Sequence, residues 1–254
     1  MICLKSEREL ETMDRANRLV HSTLRAVEAA AKPGVSTAEL DRMAEELIRA
    51  GGGEPAFKGY RGYPATLCTS VNDVIVHGIP SADARLREGD LVSIDCGVLL
   101  DGFYGDAAVT FAVGEVSDEA RRLMEITRRC LDDAVSAVGP GARLGDVGAA
   151  VQHRAEAAGF GVVREFVGHG IGRALHEEPQ VPNYGEPGRG PRLKPGLVIA
   201  IEPMITGGSW RVRIDDDGWT ARTEDGKLAA HFEFSVAVTA DGRRVLGLEE
   251  SMNA

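Results

Sequence analysis

Cysteine is scarce and scattered in this chain. Cys3, Cys68, Cys96 and Cys130 are four among 254 residues, and no two form a CxxC pair. A disulfide framework is therefore not expected. No apolar run approaches the roughly 18 residues needed to span a bilayer, and MICLKSEREL has no apolar signal core before a small-residue cleavage site. Positive charge is in deficit. A net charge of −10 and a pI near 5.2 argue against a dedicated nucleic-acid or anionic-membrane binder. Two common catalytic signatures are also missing. There is no G-x-S-x-G elbow, and GHGIG lacks the G-x-G-x-x-G spacing and βαβ setting of a dinucleotide loop. With no low-complexity segment and no linker, nothing marks a place to divide the chain. The remainder is ordinary for a globular protein, 43% hydrophobic and 27% charged, and long enough for one large domain or two joined halves. A cytoplasmic location is the expectation.

What is present centres on Leu91 to Phe111, LVSIDCGVLLDGFYGDAAVTF. Both arms are apolar and β-branched, and Asp101-Gly102 between them predicts a tight β-hairpin turn. Leu100 then faces Phe103, Asp95 faces Ala108 and Asp106 faces Gly97. Asp95 and Asp106 share one face as diagonal neighbours, about 7–8 Å apart. Two carboxylates converging from there could bridge metal ions about 3.5–4 Å apart. They could equally belong to a solvated strand face or cap loops.

Around the hairpin, periodicity predicts a helix from Ser6 to about Ala31, stopped by Lys32-Pro33-Gly34. Ser36 with Glu39 forms a capping-box start for a second helix, which ends at Gly51-Gly52-Gly53. Ser117 opens a third that reaches about Val138. A fourth runs from Leu144 to Ala158, with Gly159 as its C-cap. Then come the strand-like VVREFVG, a Gly/Pro-rich loop holding His169, the strand LVIAIEPMI, a second hairpin turn at Asp217-Gly218, and the strand HFEFSVAVT. This order repeats. Pro33-Gly34 matches Pro140-Gly141 at an offset of 107 residues, Gly89 matches Gly196, and Asp95 lands on Glu202. A duplicated helix–helix–strand unit implies two pseudo-symmetric halves, about 1–115 and 116–254, closing on one cleft in a single domain.

Five further residues join the two aspartates as candidates. Glu202 follows an apolar run and precedes Pro203, Glu233 lies among apolar residues, and His169 and His77 sit in VGHGIGR and VHGIP, with His176 in ALHEEP. Carboxylates with one imidazole make a hard, oxygen-rich site suited to Mn, Fe(II), Co or Zn. Bridging acids make two ions the natural count. Each has a plainer reading as a loop hydrogen-bonder or a solvated strand end. His21 and His153 are read as helix residues without chemistry, and Glu177-Glu178 as a solvated loop edge.

The order IDCG, YGDAA, GHGIG, IEPM and FEFSV, with VNDVIVHGIP and LHEEPQVPNYG between, resembles the type I methionine aminopeptidases. The likeness spans the first helix to the last strand. It implies the α/β pita-bread fold, two pseudo-symmetric halves of helices packed on a curved antiparallel sheet. By that resemblance Asp95, Asp106, His169, Glu202 and Glu233 are ligands of two divalent metal ions, and a bridging hydroxide attacks the carbonyl of an N-terminal methionine. Glu202 shuttles the proton, His176 steadies the oxyanion, and His77 lies near the scissile nitrogen. Phe57, Tyr60, Tyr63, Cys68, Leu175 and Trp219, with His77 and His176, match the family's substrate pocket. N-terminal Met peptides and nascent chains with a small second residue are the implied partners, met at or near the ribosome by a monomer without nucleic-acid or membrane binding of its own.

Some positions depart from that pattern. Arg61 stands where relatives carry histidine, Leu175 replaces an aromatic, Phe57 replaces a cysteine, and His231 and Phe234 replace the usual Gln and His. These bear on pocket shape and metal tuning. Only 31 residues separate Glu202 from Glu233, so the helical insertion of the type II enzymes is not expected, nor is an N-terminal extension. The rival readings are a proline-specific peptidase of the same fold, which carries a separate N-terminal domain, and a metal-free binding protein on that fold.

Overall fold

The computed structural model describes residues 2–248, so Met1 and the last six residues of the expected second half lie outside the described residues. The first half comprises α1 (Glu7–Ala30), α2 (Thr37–Ala50), β1 (Glu54–Pro55), β2 (Leu67–Val71), β3 (Val74–Val76), β4 (Leu91–Leu100) and β5 (Phe103–Ala112). The second comprises α3 (Asp118–Ser136), α4 (Leu144–Ala157), β6 (Gly161–Val162), β7 (Gly168–Gly170), β8 (Glu177–Val181), β9 (Val198–Ile201), β10 (Met204–Thr206), β11 (Val212–Ile214), β12 (Ala221–Thr223), β13 (Ala229–His231), β14 (Glu233–Val238) and β15 (Arg243–Val245).

The helices begin where capping chemistry puts them. Ser36 and Glu39 exchange bonds in the expected box, Glu39 N donating to Ser36 Oγ at 3.3 Å and Ser36 N to Glu39 Oε2 at 2.8 Å. Ala158 caps α4, and Gly159 follows it at φ 81. Each helix pair covers its own core. Val20, Leu24 and Val27 of α1 and Leu40 and Ile48 of α2 pack on Val92, Ile94 and Val98. Leu123 and Leu131 of α3 and Val147 and Val151 of α4 pack on Ile199, Ile201 and Val236. Burying these apolar stripes, at about 25 cal/mol per Å², is what holds helices to sheet.

The nine-stranded antiparallel sheet runs β1-β4-β5-β14-β9-β7-β8, with β2 also on β4 and β15 on β14. The hairpin has the predicted register, with Asp95 opposite Ala108 and Asp106 opposite Gly97. The duplication shows in contacts as well as in order. Ser36 bridges Arg85 and, 107 residues on, Arg143 bridges Arg192. Gly34 N donates to Leu86 O, and Gly141 N to Leu193 O at the same offset. Gly89 and Gly196 both take left-handed backbone, at φ 91 and 88.

Four expected strands are redrawn. LVIAIEPMI is two strands, because Glu202-Pro203 turns the chain out of the large sheet and β10 joins a second sheet with β13 and β6. Proline has no N–H for a ladder, so the break falls there. HFEFSVAVT divides likewise, His231 ending β13 and Glu233 opening β14. Only Val162 and Gly168 of VVREFVG lie in strands, and β11 and β12 join through six residues, Asp215 N donating to Thr220 O at 2.9 Å.

Close packing fixes α1 against the hairpin. A Cβ at Gly105 would stand 2.8 Å from the backbone of Ala16 and Asn17. Gly105→Ala is therefore expected to lower stability by about 1–3 kcal/mol, read as a lower thermal midpoint; an unchanged midpoint would show that α1 yields.

Candidate metal centre

Four strands of the large sheet carry a candidate ligand, and a fifth ligand lies just past the end of a strand between two of them. β4 bears Asp95, β5 Asp106, β14 Glu233 and β7 His169, while Glu202 follows the last residue of β9. The registers place them on one face. Asp95 and Glu233 both pair with Ala108, and Asp106 lies two residues away on the same strand. His169 pairs with Ala200, two residues before Glu202. The exit of the chain at Pro203 thus puts a carboxylate where a continuing strand would have placed the next ladder pair.

The set is closely drawn. Ligand atoms of Asp106, His169 and Glu233 lie within 4.8 Å of one another. His169 Nε2 is 3.9 Å from Asp106 Oδ2 and 3.7 Å from Glu202 Oε1. Its Nδ1 is 2.9 Å from Gly170 O, which turns Nε2 toward the acids. The flanking glycines serve close approach here, since a Cβ at Gly168 would meet Ala200 O at 2.3 Å and one at Gly170 would meet Glu178 O at 2.3 Å. His169 therefore belongs to a short strand, while the expected Gly/Pro-rich loop survives on either side of β8, at 171–176 and 182–197.

Electrostatics make this cluster unstable by itself. Burial raises Asp95 to about 7, eased by the neighbouring Asp106 carboxyl and the Cys96 N–H. Burial raises Asp106 well above its ordinary value, with repulsion from Glu233 and Asp95 adding to it. Glu202 is raised by burial and by Asp95 and Asp106, and Glu233 by burial and by Glu202 and Asp95. Oδ1 of Asp95, Oδ1 of Asp106 and Oε1 of Glu233 are buried without a hydrogen-bond partner. Burial also holds His169 down at about 3, which keeps the imidazole neutral and able to ligate. Buried acids this close need a countercharge. Orphaned oxygens and one neutral imidazole converging on a point fit divalent cations.

The acids line one end of a cleft of about 160 Å³, walled by all eight expected substrate residues and by Arg61 and Val76. Phe57, Tyr63, Cys68 and Leu175 are buried in one apolar cluster, with Tyr60 and Trp219 packed against it. Tyr63 is both wall and strut, its hydroxyl reaching Leu67 O at 2.9 Å and Gly78 O at 3.0 Å. His77 has left-handed backbone at φ 61, which L side chains adopt at a cost, and its ring meets Phe166 edge-on at 5.2 Å. Burial lowers it to about 4, and His176 adds to the effect. His176 lies 2.8 Å from the Tyr60 hydroxyl through Nδ1.

Several supporting groups carried no sequence signal of this role. Glu177 is no solvated edge, for it forms a buried ion pair with Lys5 at 2.5 Å and accepts Arg173 N at 2.9 Å, tying down the turn that carries Leu175 and His176. Asn183 Nδ2 donates to Glu202 O at 2.9 Å. Thr110 accepts His231 N and donates to His231 O, fixing an imidazole whose buried Nε2 has no partner and lies 3.8 Å from Glu202 Oε2. His21 is buried on α1 with Nε2 3.3 Å from Leu246 O, and His153 is exposed.

The sequence profile of metallopeptidase family M24 matches residues 11–240. The methionine aminopeptidase of Clostridium acetobutylicum is 49% identical over 98% of this chain and 100% of its own. The crystal structure of the Thermotoga maritima methionine aminopeptidase superposes with a TM-score of 0.96 at 44% identity, covering 98% of this chain and 100% of that one. A prolidase from Pyrococcus furiosus gives 0.77 at 25% identity and covers 97% of this chain but 65% of its own.

Proposed function

The chain belongs to metallopeptidase family M24, among its methionine aminopeptidases, and from that premise we propose that Asp95, Asp106, His169, Glu202 and Glu233 hold its metal ions. It is a metal-dependent hydrolase that removes the N-terminal methionine. The observation that carries the assignment is the convergence of five ligands, four on strands and one just past a strand's end, on a face where three carboxylate oxygens have no partner. Four carboxylate charges balance two divalent ions, and the hard donor set suits Mn, Fe(II), Co or Zn. Held there, such ions supply Lewis acidity and a water acidified toward a pKa of about 7.

The chain's own groups do the rest. Glu202 takes a proton from the attacking water and delivers it to the leaving amine. His176 donates to the carbonyl oxygen as charge develops on it, and His77 sits beside the scissile nitrogen. Phe57, Tyr60, Tyr63, Cys68, Leu175 and Trp219 enclose the methionine side chain and exclude water from it. We place all of this in one catalytic domain whose halves divide near residue 115. The substrates are Met peptides and nascent chains with a small second residue, met in the cytoplasm by a monomer. Cys68, Cys96 and Cys130 are buried thiols, which suits the reducing compartment proposed here. Among the described residues no helix is long and apolar enough to cross a membrane.

Metal-depleted protein titrated with Mn or Co is expected to regain release of methionine from Met-Ala-Ser and to leave Xaa-Pro dipeptides intact. Cleavage of Xaa-Pro instead would favour the prolidase-like reading. No release with any divalent ion, from folded protein, would favour the binding-protein reading.

A further inference from the structure

We propose that the Tyr60 hydroxyl is a positioning group that holds His176 in the tautomer bearing its proton on Nε2, the form able to donate to the carbonyl oxygen under attack. This rests on the oxyanion role given to His176 above.

The hydroxyl lies 2.8 Å from His176 Nδ1. The two rings are stacked, 5.2 Å between centroids and 27° between planes, and the His169 ring lies 4.2 Å from His176. The imidazole thus packs against two rings, which restrict its reorientation. The rest of His176 faces the cleft and solvent. Among the described residues Tyr60 makes the hydrogen bond to its ring, so Tyr60 is the group placed to choose between its nitrogens. A phenol gives up its hydrogen more readily than it accepts one, because the ring withdraws the oxygen's lone pair. A proton donated to Nδ1 leaves the imidazole hydrogen on Nε2.

Two features aim the tyrosine. Gly59 at φ 88, Arg61 at φ 49 and Gly62 at φ 92 wrap it in a turn of left-handed residues, closed by Gly59 N donating to Tyr63 O at 2.7 Å. Arg61 adopts a backbone that side chains usually avoid, and such conformations gather at functional sites. Its guanidinium stands 5.4 Å from the Tyr60 ring centroid. A cation against that face draws electron density from the ring and makes the hydroxyl a stronger donor. For a neutral imidazole the tautomer alone decides which nitrogen can donate.

The test is the nitrogen-15 spectrum of the histidine rings in zinc-loaded protein, with Tyr60→Phe, which keeps the stacked ring. Wild type is expected to show His176 protonated on Nε2, and the variant a mixture of tautomers. On Met-Ala-Ser the variant's kcat is expected to fall about tenfold with KM within about twofold, short of the roughly 10²–10³ lost with a whole oxyanion donor. A wild-type proton on Nδ1, or a pattern unchanged in Tyr60→Phe, overturns the proposal. So does a rise in KM at constant kcat, which would make Tyr60 only a wall of the methionine pocket. His176→Ala is measured beside it. If that variant keeps its kcat while the tautomers still mix in Tyr60→Phe, the tautomer assignment stands and the oxyanion role falls.

Discussion

Glu202→Ala is expected to cut methionine release from Met-Ala-Ser by about 10³-fold or more, since removal of a general base alone costs roughly 10²–10⁴ and here a ligand goes with it. The metal-free variant should nevertheless fold as well as wild type or better. Glu202 is raised by burial and by the neighbouring Asp95 and Asp106 charges, so in the absence of cations it opposes folding. Its position owes little to its side chain. Pro203 sets the break after β9, and Asn183 grips the Glu202 carbonyl oxygen, which alanine retains. His231 loses the carboxylate 3.8 Å from its Nε2, but that nitrogen has no partner in the unsubstituted protein either. Activity and metal affinity, measured by titration calorimetry, should therefore fall while the thermal midpoint of the apoprotein holds. A variant that retains more than a tenth of wild-type kcat would remove Glu202 from the proton path.

The sequence was most legible where local chemistry decides the outcome. The Asp101-Gly102 turn fixed the hairpin register, and register alone put Asp95 and Asp106 on one face. The 107-residue offset exposed two halves because Pro-Gly stops and left-handed glycines mark the same turns in each, and those turns recur in space. Apolar surroundings and flanking glycines marked Glu202, Glu233 and His169 as candidates. The family resemblance then named all five as ligands and supplied the pocket, which spacing could not have assembled. Legibility failed where the decision is tertiary. Pro203 marks a break after β9, but nothing local says that β10 and β13 go on to build a second sheet, since their residues are as apolar as those of β9 and β14. VVREFVG has strand composition, yet among its residues the ladders take in only the two ends. The glycines around His169 suggested freedom, whereas their use is to let strand β7 approach Ala200 and Glu178. Lys5 lies 172 residues from Glu177, a pairing that no window of sequence contains.

Metal removal should reverse the protein's response to alkaline pH. Unfolded aspartate and glutamate titrate near 4, while in the folded, cation-free site burial and mutual repulsion raise all four carboxyl groups, Asp95 to about 7. A raised folded-state value means that the native protein binds protons the unfolded chain has released. The stability that this contributes is complete below about pH 4 and is lost as pH rises through the folded values. The buried histidines act in the opposite sense. His21 and His77 are lowered to about 4, and His169 and His231 to about 3, in each case chiefly by burial. Their contribution is present above the unfolded value near 6.5 and is lost as pH falls below it. The two effects oppose one another between about pH 4 and 6.5. Above about 6.5 the carboxyl groups dominate until the unfolded cysteines begin to ionise at about pH 8.5, an effect that is the same with and without metal. Metal-free protein is therefore expected to lose about 1.4 kcal/mol per pH unit for each proton released. In a chain of this size each kcal/mol is worth roughly 2–4 °C of thermal midpoint. Divalent cations replace those protons as the countercharge, so the midpoint of metal-loaded protein should stay level or rise from pH 6.5 to 8.5. Parallel slopes with and without metal would mean that the acids do not face a common cation site. Divergent slopes that converge in Asp106→Asn would trace the effect to this cluster, because Asp106 is repelled by both Glu233 and Asp95.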